Sequence, residues 1–403
     1  MFKVDNQQLI GNAENSSAYT ARFTFKGKDI SFIVNKPVQY KVVDPVKGEV
    51  YQPFAVITPL VVSLSPDVLL TNVKRGNIAV TNPEMELQYK SNFTAAQIPV
   101  TIHLKQGDSV IFSKDTVIDF EAGKVFHLSA KVKNIYHAAL NNFINAEIIL
   151  TVNNSKQVYT HYLRAIKYDH IPDIHYFYKD QVHVLSDTIK IVGKKIGYIV
   201  GAGDKVPDAL EQLGYSVKTL QEADLTDENL KEYDAVVVGI RAYNIYEYLT
   251  NRNDVLNRYV LNGGNLIVQY MKSNQVGVKP VKVGPYRFVV NAGSRVTEED
   301  AQVKFLLPTH SVLNYPNKIT AKDFDGWVQE RSTYQAEQLD THFQAILGMH
   351  DSNEKESNGS LITAKYGKGN IAYVSLVLFR QLPAGNAGAY KIMANLIALP
   401  KNK

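Results

Sequence analysis

With 403 residues, 45% of them hydrophobic and 21% charged, the chain holds too much apolar surface for disorder and is too long for one core, so about two to four globular domains are expected. The absence of any cysteine excludes disulfides, thiolate metal sites and a cysteine nucleophile. The net charge of +5 comes from lysines spread singly along apparent strands before Tyr168, which argues for solvated sheet faces and against nucleic-acid binding.

The chain opens in strand-like alternation. Ala21, Phe23 and Phe25 alternate with polar neighbours, Lys26-Gly27-Lys28-Asp29 turns the chain, and Ile30, Phe32 and Val34 resume the pattern, which is a hairpin. Asp44-Pro45-Val46-Lys47-Gly48 supplies a second turn. Residues 1–57 hold only three or four such strands. They are expected either to augment the next module or to be the remainder of a domain that begins upstream. Met1-Phe2-Lys3-Val4-Asp5 lacks the basic and then apolar pattern of a signal peptide. Period two returns at Val100, Ile102 and Leu104, turns at Gly107-Asp108, continues through Val110 and Phe112, and recurs along Val125 to Val132, Ala146 to Val152 and Val158 to Leu163. Roughly seven strands across residues 58–168 predict an immunoglobulin-like sandwich.

Residues 169–192 break the pattern and read as a connector. Asp169, His170, Asp173 and His175 gather histidine and carboxylate there, but without a His-Glu-x-x-His spacing they read as turn and cap residues, and no metal is expected.

After residue 193 the period changes. Ile196 to Val200 is a continuous apolar run of the kind that parallel sheets bury on both faces. Gly201-Ala202-Gly203 turns the chain, Asp204 or Lys205 caps a helix with Pro207 near its first position, Val206, Leu210 and Leu213 share one face, and Gly214 stops it. Tyr215 to Leu220, Ala235 to Ile240 and Asn265 to Tyr270 are further strands, Leu249 to Leu261 is a helix closed by Gly263-Gly264, and Ile371 to Leu378 and Ala389 to Leu396 form a last strand and helix. Residues 193–403 are therefore expected to form a doubly wound, flavodoxin-like α/β domain. No apolar run nears the roughly 20 residues of a membrane span.

Gly201-Ala202-Gly203 suggests a dinucleotide fingerprint, yet its third glycine falls on Val206 and Asp204 puts negative charge where a phosphate would sit. A tight turn and a helix cap fit better, and no cofactor is expected. In amidotransferase-like folds the nucleophile stands on a strand-to-helix elbow. Here that corner reads Ile267-Val268-Gln269-Tyr270-Met271-Lys272-Ser273-Asn274, with Ser273 as the nearest aliphatic hydroxyl and no histidine beside it, so no catalytic residue is assigned. Polar and aromatic residues do crowd the predicted strand ends. Asp204, Arg241, Tyr243, Asn244, Gln269, Trp327, Gln329, Glu330, Arg331, Arg380 and Gln381 are the ligand-binding candidates, since arginines with amide side chains suit sugar hydroxyls or carboxylates. A second reading gives Glu330 with Arg331 or Arg380 the role of buried ion pairs and makes Trp327 a core plug.

Four blocks, Lys195 to Asp204, Gly239 to Asn244, Asp323 to Arg331 and Phe379 to Gly385, resemble the C-terminal amidotransferase-like region of large PIG-L (LmbE-like) deacetylases. Val38-Gln39-Tyr40-Lys41 and Asp44 to Glu49 are similar to the β-sandwich region that precedes it there. The resemblance implies a β-sandwich followed by a class I glutamine amidotransferase-like domain. It further implies a zinc-dependent N-acetylglucosaminyl deacetylase domain as partner, upstream or separate, in a periplasmic or cell-envelope setting. The Ala-His-Pro-Asp-Asp type motif that binds zinc in that family is missing from these 403 residues, so a non-catalytic accessory role with a glycan contact is expected. The alternative is an unrecognised hydrolase using Ser273 or Glu330.

Overall fold

The computed structural model describes residues 6–11, 16–80, 84–132, 135, 142–152, 154–171 and 173–400. Strands dominate, distributed over several sheets, and the protein is a β-rich multidomain chain.

Thr20–Lys26 pairs antiparallel with Ser31–Pro37 in the register Phe23↔Val34 and Phe25↔Phe32. That register puts the apolar residues of both strands on one face, where the Phe25 and Phe32 rings stack at 4.9 Å. Gln39–Asp44 pairs with Gly48–Pro53, and the Asp44 carboxylate accepts from the amides of Val46 and Lys47 at 2.8 Å each, which forms the turn. Among the described residues both hairpins are two-stranded sheets of their own, with no ladder to the sandwich.

One sheet of the sandwich runs Ser109–Phe120, Ala95–Gln106, Phe143–Val152, Gln181–Leu185, Val68–Leu70, with Ser155–Tyr159 also beside Phe143–Val152. The facing sheet is Val125–Lys131, Glu84–Ser91 and Leu60–Ser65. Alternation decides which side is buried: Met85, Leu87 and Tyr89 point inward while their neighbours face water. They pack with Leu60, Val62, Ile102, Leu104 and Ile148.

The stretch expected as a connector is largely strand. Ile174–Lys179 pairs with His161–Ile166, Gln181–Leu185 joins the sandwich in parallel with Val68–Leu70, and Ile189–Ile191 pairs in parallel with Val73–Arg75. The cause is tertiary. Each piece is short, and for Gln181–Leu185 and Ile189–Ile191 the parallel partner lies more than a hundred residues back, so no local turn announces the pairing. Asp169 and Asp173 are engaged by Lys47 and Lys167 in separate ion pairs. These strands also carry the core onward: Val68, Leu70, Val73, Ile189 and Ile191 pack in one cluster with Ile196, Leu210 and Leu213. Arg75 fastens the junction by donating to the carbonyls of Gly193 at 2.9 Å and Gly214 at 2.8 Å.

The largest sheet has the order Ser216–Thr219, Lys195–Ile199, Ala235–Val238, Asn265–Gln269, Gly369–Val374, Leu361–Tyr366, Gln344–Ala345. Its first five strands are parallel and its last two are antiparallel. Ala235–Val238 and Asn265–Gln269 are buried along their whole length, because helices and loops cover both faces. Helices Val206–Gln212, Asn253–Leu261 and Ala387–Ile397 accompany the sheet. The helix expected from Leu249 to Leu261 is two, Tyr248–Asn251 and Asn253–Leu261, broken at Arg252. The last parallel strand starts at Gly369 and ends at Val374, two residues earlier and four residues earlier than its expected bounds. Among the described residues no helix is long and apolar enough to cross a membrane.

Between the fourth and fifth parallel strands lies a long insert of turns and short strands, anchored by Asp351. Its carboxylate accepts from the Thr297 amide at 2.7 and 2.9 Å, the Glu298 amide at 2.9 Å and the Thr297 hydroxyl at 2.7 Å. Burial pushes its pKa up, but the hydrogen bonds from Glu298 and Thr297 outweigh burial and hold it below the ordinary carboxylate value. A depressed folded pKa stabilises fully above the unfolded value, near 3.9, and that stabilisation fades as pH falls through the folded one. Asp351→Asn is therefore expected to lower the melting temperature at neutral pH and to narrow its gap from the parent protein below about pH 4. Thermal melts across acidic pH check both.

Candidate functional site

In open α/β sheets the strand order reverses at a switch point, and ligands bind beyond the carboxyl ends of the strands there. Here that point lies between Lys195–Ile199 and Ala235–Val238, and backbone closes it. The Ala202 amide donates to the Ile240 carbonyl at 2.8 Å and the Gly239 amide to the Ile199 carbonyl at 2.8 Å. A Cβ on Gly201 would meet the Ile240 oxygen at 2.0 Å. The glycine thus permits two strand ends to touch. Asp204 is occupied too: its carboxylate accepts from the Tyr198 hydroxyl at 2.7 and 2.8 Å and from the Val206 amide at 3.0 Å. Gln269 Nε2 donates to the same Tyr198 oxygen at 3.3 Å. Burial and then the Asp204 charge push the Tyr198 phenol up, so it stays protonated and holds this network as a donor.

Several other candidates also lie inside the framework. Asn244 donates to the carbonyls of Ser273 at 3.0 Å and Gln275 at 2.7 Å and accepts from the Lys272 amide at 2.6 Å, closing the loop after the fourth strand. Tyr243 is buried in the apolar core. Trp327, 2% exposed, donates its indole N–H to the Asp323 carbonyl at 2.9 Å. Gln381 accepts from the Val328 amide at 2.9 Å and donates to the Val328 carbonyl at 2.8 Å. Arg331, 4% exposed, donates to the Ala301 carbonyl at 3.1 Å and to the Phe324 carbonyl. Its guanidinium lies over the rings of Phe324 and Trp327 at 5.9 and 5.7 Å.

What remains outward gathers one step along the sheet, at the ends of the third, fourth and fifth parallel strands. Tyr270, which follows the fourth strand, is itself buried at 9% exposure, and the outward residues lie around it. Its ring stacks on Tyr334 at 5.4 Å with 7° between planes and leans on Phe379 at 5.5 Å. Arg380 lies over Phe379 at 5.1 Å and is ion-paired with Glu330. Arg241, half-buried, donates its amide to the Tyr270 carbonyl at 2.8 Å. Burial first raises the Tyr270 phenol above its ordinary pKa, with Arg241 and Arg380 pulling it down and Tyr334 and Glu330 pushing it up, so it remains a hydrogen-bond donor. Gln329 is exposed, and its amide donates to Glu299.

Backbone strain collects at this rim. Arg241, Gln329 and Tyr334 have φ of 60°, 69° and 55°, a left-handed conformation that costs a non-glycine residue roughly 1–2 kcal/mol. Two of these positions are pinned around Tyr270, Arg241 through its amide and Tyr334 through its carbonyl, which accepts from the buried Tyr373 hydroxyl at 2.7 Å. Tyr334 was not among the sequence candidates, since nothing in a linear pattern marks a positive φ at tyrosine. Phe379 lies within a block singled out only for resemblance.

Below the rim the corner is filled. Met271 is fully buried and donates its amide to Tyr373 at 3.4 Å. Ser273 donates at 3.4 Å to the Gln275 carbonyl.

No protein-family model matches this chain, and no curated protein does. Among solved structures, a ThuA-like protein from Bacteroides uniformis aligns at 11% identity with a TM-score of 0.35, covering 50% of this chain and 89% of that one. A β-glucuronidase from Parabacteroides merdae aligns at 10% identity and a TM-score of 0.19, covering 55% and 35%. Cwp6 from Clostridium difficile aligns at 8% identity and 0.19, covering 52% and 33%. This chain spans about a third of the length of the last two.

Proposed function

We propose that this chain is a non-catalytic accessory region that binds a ligand at the Tyr270 rim and supports a separate or upstream PIG-L-type deacetylase domain acting on N-acetyl sugars of the cell envelope. The finer architecture in this reading is an immunoglobulin-like sandwich followed by a flavodoxin-like, class I amidotransferase-like domain. Its support is the parallel order with the first strand between the second and third, together with the sequence blocks similar to that family. One observation carries the binding rather than bond-breaking role. Where an amidotransferase-like fold presents a nucleophile, Tyr270 and Met271 are turned into the packing at 9% and 0% exposure. Two carboxylates close to the sheet ends are already engaged, Asp204 by Tyr198 and Glu330 by Arg380.

A serine hydrolase using Ser273 needs a base to activate the hydroxyl. Treating the protein with a fluorophosphonate and mapping adducts by mass spectrometry tests this. No adduct at Ser273 is expected; a stoichiometric one overturns the proposal.

A further inference from the structure

Two guanidinium groups border the Tyr270 ring, and they differ. Arg380 is neutralised by Glu330. Arg241 makes no ion pair among the described residues, and its Nε is buried with no hydrogen-bond partner. That Nε has no accessible surface, so a ligand can meet only the terminal guanidinium nitrogens, which also lack a partner among the described residues and are not among the buried atoms. The group is also held in place: the left-handed backbone at Arg241 is tied by its amide to the Tyr270 carbonyl at 2.8 Å. Beside it, Tyr270 and Tyr334 stack within 7° of parallel, and Tyr334, half-buried, keeps part of its surface toward solvent.

We infer that this rim takes an acidic saccharide, a uronic acid unit whose carboxylate pairs with Arg241 while the C–H face of its ring packs on Tyr334. The inference rests on the binding role proposed above and names its ligand class. Each part follows from chemistry on the page. A guanidinium with a free N–H in a partly dry setting selects a carboxylate through charge-assisted hydrogen bonds. A fixed aromatic face offers the apolar side of a pyranose a packing surface without demanding a polar partner. Glu330 restricts the anion to one position, since it already occupies Arg380 and repels a second negative group.

Calorimetric titration of the full chain with glucuronate, galacturonate, glucose and acetate, repeated with Arg241→Gln, Arg241→Lys and Tyr334→Ala, tests this. Both uronates are expected to bind at least about tenfold more tightly than glucose or acetate. Arg241→Gln is expected to remove that preference without lowering the melting temperature, because it deletes an unpaired charge. Arg241→Lys is expected to keep part of the preference, as a point charge without the fork, and Tyr334→Ala to weaken uronates and glucose alike. If glucose binds as tightly as the uronates and Arg241→Gln changes neither, the acidic class is wrong while a sugar-binding rim survives. If acetate matches the uronates, the saccharide part is wrong. If no sugar binds, both this inference and the glycan contact proposed above fail.

Discussion

Replacing Arg331 by alanine is expected to cost about 3–5 kcal/mol of folding stability, read from denaturant melts. The residue sits one position after Glu330 and looks equally available in the sequence, yet its guanidinium is enclosed by the insert. Truncation orphans the Ala301 and Phe324 carbonyls, opens space under Phe324 and Trp327, and removes a cation from both rings. Burial lowers its pKa, while Asp300, Asp325 and Glu299 hold it up. It therefore remains a charged donor whose partners are backbone carbonyls. Arg331→Lys keeps the charge but cannot span both carbonyls, so an intermediate loss is expected. A loss below about 1 kcal/mol for alanine would show that the side chain is not part of the packed frame. Arg241→Gln, by contrast, should leave stability unharmed.

Gly201→Ala is expected to cost about 3 kcal/mol, the upper part of the usual range for overpacking. The three atoms nearest the added methyl would all be backbone: the Ile240 oxygen at 2.0 Å, the Ile240 carbonyl carbon at 2.8 Å and the Gly239 carbonyl carbon at 2.9 Å. No side chain can swing aside, so two strand ends must separate. Gly203→Ala is the internal control. Its φ of +93° is unfavourable for alanine, but nothing lies within 4 Å of the new Cβ, so a loss nearer 1 kcal/mol is expected. If these glycines served a pyrophosphate, both substitutions would chiefly weaken nucleotide binding. A stability loss concentrated at Gly201 separates the two roles.

The parallel strands were legible because Ile196, Val236, Val237 and Val268 sit in runs buried on both faces, a pattern that an exposed sheet cannot sustain. Helix Val206–Gln212 was equally plain, with Pro at its start and Gly214 after its end. Strands Gln181–Leu185 and Ile189–Ile191 were not, because their partners are distant in sequence and nothing local distinguishes them from a linker. The site was legible only as composition. Arginine, glutamine and tyrosine at strand ends could be named as candidates, but whether each points into the frame, as Arg331 and Gln381 do, or out at the rim, as Arg241 and Arg380 do, depends on loop packing. Tyr334 depended on a backbone conformation that no residue type announces.

Acetate release from an N-acetylglucosamine oligosaccharide by the purified full chain with added zinc tests the accessory role most directly. Rates equal to the protein-free blank are expected. Release that scales with protein concentration and disappears in Ser273→Ala or Glu330→Gln would contradict it.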